Sequence, residues 1–104
     1  MIDRVLISER IYGAGEQITL TAFGDSQMTA EILCFVRPPS PAALASCAEC
    51  GRFNITSGVE FRFSANLKIF EKKNGHLKIR VVDATGDNWE TKIEIEGRRT
   101  TVTS

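Results

Sequence analysis

The chain reads as an all-β domain carrying one short helix, folded as a six-stranded antiparallel barrel or as a two-sheet sandwich. Three observations carry that reading. Apolar residues recur at every second position through much of the chain, the period of a half-buried strand. Turns containing Gly, Asn or Asp separate those runs. A single stretch, beginning at Ser40-Pro41, has the form of a helix start instead.

Residues Val5 to Tyr12 form the first expected strand, ended by Gly13-Ala14-Gly15. Gln17 to Phe23 follow as a second, with Ile18, Leu20 and Ala22 alternating against Thr19, Thr21 and Phe23. After the turn residues Gly24-Asp25-Ser26, a third strand runs from Met28 to Val36. Its continuous apolar end, Ile32 to Val36, suggests burial on both faces, as in a central strand or one bent across a barrel corner. Arg37-Pro38-Pro39 stops the sheet. Ala42 to Cys50 continue from the serine cap as a helix, docked through Leu44, Cys47 and Ala48, with Gly51 placed as its C-cap.

The stretch from Val59 to Ala84 predicts a hairpin. Val59, Phe61, Phe63, Ala65, Leu67 and Ile69 share one side of the first arm; Leu77, Ile79 and Val81 share one side of the second. A two-residue loop would set apolar residues against basic ones, since a slip of one residue inverts every side chain. A three-residue loop, Lys73-Asn74-Gly75, with Gly75 in the left-handed region, restores agreement by placing Ile69 opposite Ile79 and Leu67 opposite Val81. The outward side would then carry Arg62, Lys68, Phe70, Lys72, His76, Lys78 and Arg80. A loop from Asp83 to Trp89 and a last strand from Thr91 to Glu96 complete the domain, which spans residues 1–104 as one unit.

Three strands, a short helix and three more strands resemble the five-stranded Greek-key barrel that binds oligonucleotides and oligosaccharides, with the helix between strands three and four and one strand to spare. The resemblance is one of element order, from which function does not follow.

Thirteen basic and thirteen acidic side chains cancel, so no global field draws the protein to nucleic acid or to an anionic membrane. The charges are local: residues 59–82 hold six Lys or Arg against two Glu, whereas residues 1–36 hold two against five. The amino terminus lacks the basic-then-apolar run of a secretory signal, and no apolar stretch approaches the length of a membrane span. Three cysteines, an odd number, fit a reducing compartment better than a disulfide framework. The expectation is a cytoplasmic protein without a membrane partner.

Several patterns bear on chemistry. Arg62, Lys68, Phe70, Lys78 and Arg80 on one face would supply the cations and the stacking ring that single-stranded nucleic acid needs; a solvated sheet face would look much the same. Cys47-Ala48-Glu49-Cys50-Gly51-Arg52 resembles one knuckle of a zinc ribbon over six residues, with no second knuckle. Cys34 and His76 would complete a Cys3His set, or two chains would share a metal; spacing dictates neither. The same two cysteines resemble a thiol-disulfide motif, but the last turn of a helix would raise a thiol's pKa and oppose that role. His76 has no second histidine to work with, Trp89 reads as a core cap or a partner anchor, and Asp83, Asp87 and Glu90 read as acidic turn residues rather than a calcium loop.

No set of nucleophile, base and oxyanion donor can be assembled. The expectation is therefore a small non-enzymatic binding module that recognises a protein partner through a sheet face, an edge strand or its loops, with no cofactor. A single-stranded nucleic-acid binder is the alternative, and a zinc-stabilised adaptor through Cys34, Cys47 and Cys50 the second. Self-association into a homo-oligomer is compatible with each.

Overall fold

The computed structural model describes residues 1–36, 48–65, 70 and 73–97, with the backbone alone at 48–50. Among the described residues eight strands follow one another: β1 (Ile2–Ile7), β2 (Tyr12–Gly13), β3 (Gln17–Gly24), β4 (Met28–Val36), β5 (Ala48–Ile55), β6 (Phe61–Ser64), β7 (Asn74–Asp83) and β8 (Asn88–Glu96). The all-β class is the one the alternation predicts. The strands divide between two sheets, ordered β1-β3-β6 and β2-β8-β7-β4-β5, one of them curled like half a barrel. Every pairing is antiparallel except that of β2 with β8.

One core fills the space between the inner faces. Ile18, Leu20 and Ala22 of β3 join Met28, Ala30, Ile32, Cys34 and Val36 of β4, Leu77, Ile79 and Val81 of β7, and Ile93 and Ile95 of β8 in a single buried cluster. Burying each larger aliphatic side chain stabilises the fold by about 1.5–3 kcal/mol. β4 is an interior strand of the larger sheet, flanked by β7 and β5, with β5 at the edge. It is not buried on both faces, however: Leu33 and Phe35 lie half-buried on the outer side.

The first expected strand is two. β1 joins the smaller sheet and β2 the larger, and between them the Tyr12 hydroxyl donates to the Ser8 carbonyl at 2.9 Å.

The hairpin predicted over 59–84 does not form. β6 pairs with β3 in the smaller sheet, whereas β7 lies in the larger one between β4 and β8. Leu67 and Ile69 fall outside the described residues, but the positions assigned to them are taken: Ile79 stands between Ile32 and Thr91, and Val81 between Ala30 and Trp89. Alternation tells which side of a strand is buried without naming its neighbours. β6 and β7 turn apolar sides to the same core from opposite sheets.

Gly75 is correspondingly not a left-handed loop residue. It sits inside β7 opposite Val36, where an added Cβ would lie 2.0 Å from the Phe35 carbonyl oxygen and 2.9 Å from Cε1 of Phe70. Glycine is required there by close approach. Phe70, expected on the outward basic face, is fully buried in the core. Its carbonyl accepts the Lys73 N–H at 3.0 Å, and the Lys73 carbonyl accepts the Gly97 N–H at 2.9 Å.

The expected helix also fails where it can be followed. Ala48, Glu49 and Cys50 open β5, and Gly51 pairs with Ile32 in mid-sheet instead of capping a helix; residues 42–47 lie outside the described part. β4 has backbone groups on both of its edges to satisfy, and β5 supplies partners along the edge that β7 leaves open. The pairing slips between Ile32 and Leu33, so that Cys50 is the extra residue of a β-bulge.

Candidate functional site

The outer face of the larger sheet is built by strict alternation in three strands. β4 turns Thr29, Glu31, Leu33 and Phe35 outward; β7 turns out His76, Lys78, Arg80 and Val82; β8 turns out Asn88, Glu90, Lys92 and Glu94. β5 adds Arg52 opposite Glu31. Register then sets one row across four strands, Arg52, Glu31, Arg80 and Glu90, in which the sign of the charge alternates at every step.

The ion pairs on this face are exposed. Arg52 Nε stands 3.7 Å from Glu31 Oε2, Lys78 Nζ 2.8 Å from Glu90 Oε2, and Lys92 Nζ 3.6 Å from Glu94 Oε2. Pairs of this kind contribute about 0–1 kcal/mol each, because water screens them. Beside them the rings of Phe35 and His76, directly opposite on β4 and β7, stack with centroids 4.8 Å apart and planes 14° from parallel. Phe35, His76, Lys78, Glu90, Thr91 and Lys92 line a shallow depression of about 480 Å³. A surface of alternating charge around a half-buried aromatic pair can match a protein surface of complementary pattern. Its mixed sign suits a polyanion poorly.

The residues expected to form a basic face are not brought together. His76, Lys78 and Arg80 share the outer face of the larger sheet. Arg62 belongs to β6 in the smaller sheet, where its guanidinium pairs with Glu60 at 2.8 Å. Phe70 is in the core, and Lys68 and Lys72 lie outside the described residues. Trp89 is partly buried and packs against the core. The sequence reading missed Glu31, Arg52, Glu90 and Phe35. Their signal was the same period of two, but it yields a charge pattern only when β4, β5 and β8 are set in register with β7.

Among the cysteines, Cys34 is fully buried and disulfide-bonded, a departure from the reduced thiols expected. A sulfur in a disulfide has no thiolate to offer a metal, so in this form Cys34 is not a zinc ligand. Cys47 and the side chain of Cys50 lie outside the described residues. Among the described residues no three His, Cys, Asp or Glu side chains converge as a metal site, and no helix is long and apolar enough to cross a membrane.

Two other features border the sheets. Phe53, Phe61 and Phe63 form an aromatic row from β5 to β6, with centroids 5.0 and 5.5 Å apart. At one end of the sheets the Met1 amino group pairs with Asp25 at 2.5 Å and with Asp83 at 2.7 Å, while the Ile2 N–H donates to Asp87 at 2.9 Å.

The fold and the face together define a two-sheet β domain with a mixed-charge outer surface. No protein-family model matches the chain, and no curated protein matches it.

Proposed function

We propose that this protein is a non-enzymatic binding module that recognises another protein through the outer face of its larger sheet. The observation that carries the reading is the row Arg52, Glu31, Arg80 and Glu90 on the same face as the Phe35 and His76 stack, with Leu33 and Lys78 between them. Charges arranged in a pattern select partners of the opposite pattern and suppress others. Half-buried aromatic rings further along the same face supply contact area that is retained in water only at a cost.

The test compares proteins captured by the full chain and by an Arg80→Glu, Phe35→Ala double variant that keeps its fold. A partner held by the first and lost by the second supports the reading. An identical set of partners on both counts against it.

A further inference from the structure

We infer that the partner of the outer face is a second copy of this chain, packed sheet against sheet about a two-fold axis that runs along the strands between β4 and β7. The inference rests on the reading of this face as a contact surface and goes beyond it by naming what covers it.

An isologous contact sets each residue against the one that stands at the mirrored place in the row. Across the sheet the row reads Arg52, Glu31, Arg80, Glu90, so its charges run plus, minus, plus, minus. Read backwards, they run minus, plus, minus, plus. The two-fold axis therefore lays Arg52 over Glu90 of the second copy and Glu31 over its Arg80, and every charge in the row meets its opposite. A row of one sign, or one with an odd number of members, would not have this property.

The rows above and below obey the same operator. Because the axis lies between β4 and β7, each outward β4 residue falls on the β7 residue that it already pairs with in its own sheet. Leu33 falls on Lys78, whose aliphatic stem can cover it. Phe35 falls on His76, which brings two stacked ring pairs together. Thr29 falls on Val82, a methyl against a branched side chain. Among the described side chains no like charges are brought face to face.

The size of the face sets the strength of the contact. Laid flat, four strands spaced about 4.8 Å apart and nine residues long would cover roughly 1,100 Å² over the two copies, below the usual size of stable specific interfaces and in the range of weak ones. Twisted sheets pack face to face within about 30° of alignment, which this axis allows. The dimer is accordingly a weak one, loosened by salt.

Sedimentation equilibrium of the full chain, from low micromolar to millimolar, tests this. The mass should rise from the 11.5 kDa of one chain towards twice that value. Arg80→Glu sets two carboxylates face to face across the axis and Glu31→Arg sets two guanidinium groups there, so each variant alone should dimerise at least about tenfold more weakly. An equimolar mixture of the two should recover the dimer, since each variant then meets the opposite charge. That recovery also shows both variants to be folded. A wild-type chain that stays monomeric at millimolar concentration overturns the inference, as do single variants that dimerise undiminished, or folded variants whose mixture fails to associate. If the wild type is monomeric while the Arg80→Glu, Phe35→Ala variant still loses a captured protein, self-association falls and the binding module stands.

Discussion

The α-amino group of Met1 stands 2.7 Å from Oδ2 of Asp83, whose side chain is entirely buried. The other carboxylate oxygen of Asp83 accepts the Thr85 N–H at 2.9 Å, the Thr85 hydroxyl at 2.7 Å and the Asp87 N–H at 3.0 Å. Hydrogen bonds to Asp25 and then Asp83 raise the amino group from 8.0 to about 10. The amino group, followed by Thr85, holds the Asp83 carboxyl well below the usual carboxylate range.

These shifts predict a plateau of stability with a limb on each side. A raised amino pKa contributes stability that is complete below pH 8.0 and is lost as pH climbs through about 10. A depressed carboxylate pKa contributes stability present above about 3.8 and lost as pH falls below it. Thermal melts across pH should show both limbs. Nα-acetylation, which removes the terminal charge, should flatten the alkaline limb, and Asp83→Asn should shrink both. Limbs identical in all three proteins would show that the pair contributes nothing.

Phe70 is a core residue, so its removal should act on stability. Phe70→Ala is expected to cost about 3–5 kcal/mol, the usual range for emptying a buried aromatic site. Gly97→Ala should also destabilise the protein, because its Cβ would lie 1.8 Å from the Phe70 carbonyl oxygen. Chemical denaturation measures both. A Phe70→Ala protein of unchanged midpoint would place that ring outside the core.

The Phe35 and His76 stack predicts an energetic coupling. A double-mutant cycle with Phe35→Ala and His76→Ala should return about 0.5–1.5 kcal/mol of interaction energy, read from urea midpoints. Additive single effects would mean that the rings are merely adjacent.

The Cys34 disulfide predicts a thiol count. With three cysteines in the chain and Cys34 bonded, one thiol should react with a maleimide in the unreduced protein and three after reduction. Reduction should lower stability by about 2–5 kcal/mol, as when a native bridge is removed from a small domain. Peptide mapping would tell whether Cys47 or Cys50 is the other member. Three reactive thiols before any reduction would contradict the bond.

How much of this could be read in advance differs from residue to residue. Ile18, Leu20 and Ala22, or Ile93 and Ile95, declare their buried side by alternation alone, because a strand presents successive side chains to opposite faces whatever stands next to it. The outward placement of His76, Lys78 and Arg80 was readable for the same reason. Phe70 was not: the alternation that begins at Val59 extends in the sequence through Glu71, and its parity puts the ring at position 70 on the outward side, whereas the fold buries it. Ala48 to Cys50 were misread because short local signals, a serine cap and a run of helix formers upstream, were weighed against nothing; the competing influence was the unpaired edge of β4, some fifteen residues away in the chain.

Local periodicity thus established the all-β class, the strands of the core and the polarity of their faces, since these depend on one strand and the water around it. The division into two sheets, the register that sets Arg52, Glu31, Arg80 and Glu90 in one row, and the seating of the Met1 amino group on Asp83 depend on segments far apart in the chain. Backbone hydrogen bonding is blind to side-chain identity, so many strand partnerships satisfy the same alternation. Only packing of the whole core chooses among them.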